Sequence, residues 1–284
     1  MSVLAKKGRI EACFERLNRE KRAALITFVS AGDPDYNTSL KILLSLPDAG
    51  ADIVELGMPF TDPMADGPAI QAAGLRALKA GQKMRHTLSM AKAFREAHSE
   101  TPLVVMGYFN PIHSYGPEKF MTDAAAAGID GMILVDLPPE ENEEVCALAD
   151  AANLRVIHLA TPTTDEKRLP KILKRASGFL YYVSITGVTG AAAPDLAKVE
   201  AHVSWLRSRA EIPVVVGFGI RRPDQAAAVA RIADGVVVGT AIVDLIGQGL
   251  DESGKFAPRQ FGKITGLVSD LARGIASAEE ILLD

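Results

Sequence analysis

Only two cysteines occur in 284 residues, Cys13 and Cys146, so the chain has no disulfide framework to rely on. They lie far apart, each in an apolar, helix-like context, and read as reduced core thiols of a cytoplasmic protein. Charge of one sign is also lacking. The 31 basic and 35 acidic residues give a net of -4, which implies no general affinity for nucleic acid or anionic membranes. No apolar run reaches the roughly 18–20 residues that a membrane helix needs. The opening residues, MSVLAKKGRIEACF, are charged almost from the start and lack the apolar core of a signal peptide. The five histidines (His86, His98, His113, His158 and His202) show no ligand spacing and have no cysteine partner nearby, so a metal site is not expected. His158, near the end of a strand, reads as a packed histidine. There is no G-x-G-x-x-G after the first strand and no Walker A sequence, which removes dinucleotide and triphosphate readings. No serine sits in a G-x-S-x-G elbow, which removes an acyl-enzyme route.

What is present is a hydrophobic share of 48%, enough for a sizeable core, arranged as short apolar runs alternating with helical patterns. An amphipathic helix over residues 4–19 precedes the first strand, 23–30. Further strands are expected at 53–57, 102–108, 130–136, 154–159, 179–184, 212–217 and 234–239. Helices are expected at 35–46, 68–80, 84–97, 117–127, 139–152, 165–176, 197–209, 223–232, 259–273 and 278–283. Asn-Gly hairpin signals are missing. Strand–helix alternation of this kind means right-handed crossovers and a parallel sheet. Eight units in about 250 residues predict a (βα)8 TIM barrel with an extra N-terminal helix, against an open doubly wound sheet. With no linker or low-complexity tract, residues 1–284 read as a single barrel domain.

In a barrel the chemistry sits at the C-terminal strand ends and in the loops beyond them. The stretch DIVELGMPFTDPMADGPAIQ (52–71) carries an acid, Glu55, inside an apolar strand. A buried charge must be paired or neutralised, so Glu55 is either a structural acid with a basic partner or a catalytic group. Asp66, before Gly67-Pro68, sits where a helix N-cap belongs and could equally be a catalyst; Asp62, before Pro63, reads the same way. Asp33 and Asp136 look structural. Tyr181 and Tyr182 alternate, so only one faces inward. VVVGFGIRRPDQ and DGVVVGTAIV place Gly217, Gly219 and Gly239 past strands seven and eight, each opening onto a helix, with Thr240 adding a hydroxyl. This pattern suits a phosphate, although tight strand exits would look similar. The segment TGVTGAAAP (186–194) lacks large apolar anchors and could close over a ligand.

LITFVSAGDP, ELGMPFTDPMADGPAIQ, MGYFNP, DGMILVDLPPEE, GVTGA, GFGI and GTAIV, in this order, closely resemble the tryptophan synthase alpha subunit family across nearly the whole chain. The second block is highly specific to it. The resemblance implies a lyase that cleaves indole-3-glycerol phosphate to indole and glyceraldehyde 3-phosphate, carrying no cofactor of its own. It implies a partner, a beta subunit with pyridoxal phosphate, in an α2β2 complex with an indole tunnel; it implies neither nucleic acid nor membrane as partner. It places the acid–base glutamate on Glu55 and the partner of the indole nitrogen on Asp66. The substrate contacts fall on Phe28, Met106 (where leucine is common), Tyr108 and Tyr181, with Thr189 as the loop threonine. The phosphate site falls on Gly190, Gly219, Gly239 and Thr240, with Phe218 in the same strand exit. Two departures are Thr61 in place of serine and Ile185-Thr186 in place of a pair that often carries arginine. The rival readings are another phosphate-binding barrel, which would use an inward lysine or cysteine not found here, a silent subunit, and a lyase that needs no partner.

Overall fold

The apolar runs form strands because their backbone groups pair on both sides while their side chains are buried on both faces. β1 (Ala24–Ser30) is buried at every position, as are β2 (Ile53–Gly57), β4 (Gly131–Leu134), β7 (Val214–Gly217) and β8 (Gly235–Val238). With β3 (Leu103–Gly107), β5 (Arg155–Ala160) and β6 (Leu180–Val183) they close in sequence order, β1 pairing with β8, into an eight-stranded parallel barrel. The computed structural model describes residues 8–184, 196–217 and 219–278. The expected TIM barrel is therefore observed, and among the described residues no helix is long and apolar enough to cross a membrane.

Twelve helices are described: α1 (Arg9–Glu20), α2 (Tyr36–Ser45), α3 (Pro68–Lys79), α4 (Met84–Ala97), α5 (Phe109–Tyr115), α6 (Pro117–Ala126), α7 (Glu143–Ala151), α8 (Leu169–Leu173), α9 (Leu196–Arg207), α10 (Pro223–Ala230), α11 (Thr240–Gln248) and α12 (Phe261–Ala276). Helix α1 is the extra element. Its apolar stripe of Ile10, Cys13, Phe14 and Leu17 clusters with inward residues such as Ala24, Ile53 and Phe179, so it plugs the N-terminal end of the barrel.

Some boundaries differ from the sequence expectation. Helix α5 is absent from that expectation, because Asn110-Pro111 reads as a breaker; Pro111 instead falls in the first turn, where a missing N–H costs nothing. Helix α7 starts at Glu143 rather than 139, after the Pro138-Pro139 pair. Helix α8 covers only five of the twelve residues expected, since Asp165 turns the chain by accepting the Lys167 and Arg168 amides at 3.0 and 2.8 Å. The 259–273 helix begins at Phe261 and runs to Ala276. Of the 278–283 helix, all but Ala278 lies outside the described residues. Both cysteines are free and buried, and burial pushes each thiol up to about 11, which keeps them unreactive.

One device recurs at the N-terminal face. An aspartate just before an even-numbered strand accepts an amide from the preceding strand and pairs with arginine. Asp52 takes the Leu25 N–H at 3.0 Å and Arg22 at 2.7 and 2.8 Å. Asp130 takes the Leu103 N–H at 2.8 Å, Arg95 at 2.7 Å and Arg9 at 3.0 Å. Asp234 takes the Val214 N–H at 2.8 Å and Arg207 at 2.9 Å. Asp130 and Arg95 are both largely buried, so removing one leaves the other charge stranded. Asp130→Ala is expected to lower the unfolding free energy by about 3 kcal/mol, read from the urea midpoint at unchanged slope.

Candidate active site

Side chains on a strand alternate, so Ile53 facing the barrel interior puts Glu55 there too, one pleat nearer the C-terminal end. Glu55 is fully buried, and both its carboxylate oxygens are without a hydrogen-bond partner among the described residues. The paired structural acid is therefore excluded in favour of an unpartnered one. Burial alone raises its pKa to about 8. Tyr181 also faces inward, whereas Tyr182 packs outward. Burial, and then the charge of Glu55, push the Tyr181 phenol well above its ordinary pKa.

A cavity opens above them, at the C-terminal end of the barrel. It is lined by Glu55 and Asp66, by the apolar side chains of Phe28, Met106 and Tyr181, and by Gly219, Gly239 and Thr240. A second, narrow lobe shares Phe28, Asp66, Ile70 and Met106 with it and extends between Met58, Phe60 and Val135. Glycine shapes the walls. A Cβ at Gly217 would lie 2.6 Å from Cε1 of Tyr181, and one at Gly57 would lie 2.6 Å from Cζ of Phe28. Only hydrogen at these two positions lets the rings lie against the strands.

Asp66 departs from its cap reading. The N-cap of α3 is Gly67, and no side chain caps that helix. The carboxyl is turned to the cavity instead, where burial raises its pKa to about 6 while the Tyr108 hydroxyl beside it draws it down. Asp62 caps no helix either; it is exposed and takes the Thr61 hydroxyl at 2.5 Å. Tyr108 does not line either lobe. Its ring stands 5.3 Å from that of Phe60, and its hydroxyl accepts the Ala65 N–H at 2.9 Å. In the same cavity, α11 begins at Thr240 after Gly239, with no side-chain cap on its first amides. Gly219, at φ +62°, occupies backbone space that suits glycine. Free amides at the start of a nine-residue helix, two glycines and a hydroxyl can hold an anion. Thr189, Gly190 and Phe218 lie outside the described residues, as does the rest of the 186–194 segment.

The other acids behave as structural groups. Asp33 is fully buried and takes Arg76 of α3 at 2.7 and 2.9 Å, and Asp136 accepts the Phe109 amide at 2.8 Å. His158 is packed between Asn142 and the Val156 carbonyl. Among the described residues no cluster of potential ligands could hold a metal ion.

The fold and cavity define a class: a (βα)8 barrel enzyme with two carboxyl groups in different environments, and an apolar pocket and an anion cradle in the same cavity. A sequence model of the tryptophan synthase alpha chain family matches residues 14–266, and the chain belongs to that family. It is a lyase of tryptophan biosynthesis that cleaves indole-3-glycerol phosphate to indole and D-glyceraldehyde 3-phosphate. A tryptophan synthase alpha subunit from Legionella pneumophila is 37% identical, with a TM-score of 0.87 over 95% of this chain and 98% of that one. A chain from a tryptophan synthase structure of Mycobacterium tuberculosis is 35% identical, with a TM-score of 0.86 over 95% and 99%. A chain from an aminoacrylate-bound M. tuberculosis tryptophan synthase is 33% identical, with a TM-score of 0.84 over 95% and 100%.

The pKa of Glu55 has a consequence for stability. In the unfolded chain it loses its proton near the ordinary 4.5; in the folded chain it keeps it up to about 8. The native state thus binds more protons between these values, so stability falls as pH rises through that window and levels off above it. Glu55→Gln lacks this loss. Its stability relative to the parent, measured by urea unfolding, is expected to be more favourable at about pH 9 than at about pH 5.

Proposed function

We propose that Glu55 is the proton shuttle of the cleavage and that Asp66 is the acceptor for the indole N–H. In this reading the indole ring lies in the apolar part of the cavity, against Phe28, Met106 and Tyr181. The phosphate lies on Gly219, Gly239 and Thr240, where the amides of α11 begin; the family resemblance assigns Gly190 and Phe218 to the same phosphate site. The resemblance likewise assigns to Thr189 the contact with the second acid. The observation that carries the reading is that one cavity holds both acids together with the anion cradle.

The chemistry rests on the two environments. Glu55 is protonated below about pH 8, so it enters the cycle as an acid. It delivers its proton to indole C3. Positive charge then grows on the ring nitrogen, and the Asp66 carboxylate, ionised above about pH 6, accepts that N–H and stabilises the charge. The Glu55 carboxylate so formed removes the proton from the glycerol hydroxyl next to C3. A carbonyl forms there, the C–C bond breaks, and its electron pair returns to the ring and neutralises the nitrogen. One proton has moved from oxygen to carbon, and Glu55 is protonated again.

We further infer that the barrel is a single domain acting in the cytoplasm, with a beta subunit carrying pyridoxal phosphate as its partner in an α2β2 assembly. Support comes from the alpha-chain family itself and from relatives solved as tryptophan synthase structures, one of them in an aminoacrylate-bound form. The two free, buried thiols agree with a reducing compartment.

Two measurements test the assignment. Glu55→Gln should abolish indole release, by about 1,000-fold or more, while a phosphate-bearing substrate analogue still binds; near-normal turnover would remove Glu55 from the shuttle role. In the parent enzyme kcat/KM should be bell-shaped. It rises through about pH 6 as Asp66 ionises and falls through about pH 8 as Glu55 loses its proton. A profile flat across that range would contradict both roles.

A further inference from the structure

Tyr108 is only 2% exposed, yet it carries a hydroxyl, and a buried hydroxyl needs partners. One is the Ala65 N–H, which donates to it at 2.9 Å. That bond uses the oxygen as an acceptor and holds the backbone one residue before Asp66, whose carboxyl pKa the same hydroxyl draws down. The ring cannot swing away, because it is packed against Phe60 at the other end of the same loop. Tyr108 ends the strand exit of β3, whose neighbouring Phe109 amide is held by Asp136. The loop 58–67 is thus gripped at both ends by one rigid side chain. The Asp66 backbone is also tied, its N–H donating to the Pro63 carbonyl at 3.1 Å and its C=O accepting from the Gln71 side-chain amide at 2.9 Å, but its carboxyl makes no ion pair among the described residues and does not cap α3.

We propose that Tyr108 is a positioning residue, whose hydroxyl fixes the Asp66 loop on the rim of the barrel and keeps the Asp66 carboxylate aimed at the cavity. This rests on the role given to Asp66 above and adds a residue that acts through it. The titratable groups that line the cavity with Asp66 are Glu55 from β2 and Tyr181 from β6; the residues facing it from α3, β8 and α11 carry no charge. The hydroxyl therefore acts on a group with no cation nearby to hold it ionised. Its contribution is to lower the Asp66 pKa against the larger, opposite effect of burial.

Tyr108→Phe removes the hydroxyl and keeps the ring against Phe60. kcat is expected to fall about 10- to 100-fold, with KM for indole-3-glycerol phosphate changed by less than about threefold. The acid limb of kcat/KM should move to higher pH, because Asp66 loses the donor that favours its ionised form. 3-Fluorotyrosine at position 108 has nearly the same shape and is a stronger donor. It should move the limb to lower pH, and it tests the idea independently if the phenylalanine variant folds poorly. An acid limb left in place by these substitutions, or a loss confined to KM, would overturn the proposal. Asp66→Asn separates the two levels. If it turns over like the parent, the role of Asp66 fails and that of Tyr108 falls with it. If it is inactive while Tyr108→Phe keeps the parent kcat and acid limb, only the role of Tyr108 fails.

Discussion

Both oxygens of Glu55 are shut inside the barrel, and neither finds a protein partner among the described residues. A carboxylate in that place would be very costly, so the group stays protonated to about pH 8. Much of the surrounding architecture maintains this condition. Helix α1 plugs the barrel from below, and an inward layer of Ile26, Ile53, Val104 and Val215 separates the carboxyl from the N-terminal face. None of the inward positions around it holds a lysine or arginine that would restore the charge. The proton affinity of the acid is raised by burial among apolar neighbours rather than by any one contact.

Asp66 shows the opposite solution a short distance along the chain. It is on a loop, partly solvated, and beside a phenolic donor, and its pKa rises only to about 6. The same functional group thus has two proton affinities, one fit for donating and one fit for stabilising positive charge. The two sites differ in burial and in one hydroxyl. Glycine shapes the walls around them: at positions 57 and 217 the absence of a side chain lets the rings of Phe28 and Tyr181 approach the strands closely.

Most of the barrel was legible in the sequence because its signals are local. Eight apolar runs alternating with helical patterns need no long-range information, and all eight became strands within a few residues of the expected bounds. Helix α5 was hidden by Asn110-Pro111, since a proline in a first turn looks the same as one that ends a helix. In the site, Glu55 stood out because an acid inside an apolar strand is anomalous. Asp66 did not separate from a cap, because Asp-Gly-Pro is also how a helix begins; only the backbone shows that Gly67 holds the cap position. The clamp by Tyr108 was beyond reach, as it joins residues 43 positions apart and depends on which way one hydroxyl faces.

The acids of this chain divide into those that stabilise the fold and those that carry its chemistry. Asp52, Asp130 and Asp234 stand just before strands at the N-terminal face, and each is satisfied by a strand amide and at least one arginine. Asp33, close to the opposite rim, is neutralised by Arg76. Each of these carboxylates has its charge compensated by a partner that folding brings to it. Glu55 and Asp66 have no cation, and their burial works against folding to the extent that they ionise. In a parallel barrel the two groups fall at different ends because strand direction is shared: a residue just before a strand meets one face, and a residue just after it meets the other. The N-terminal ring of aspartate–arginine pairs can then bear the mechanical role of closing the barrel. The C-terminal end is left free to carry two acids in environments that no stable core would choose.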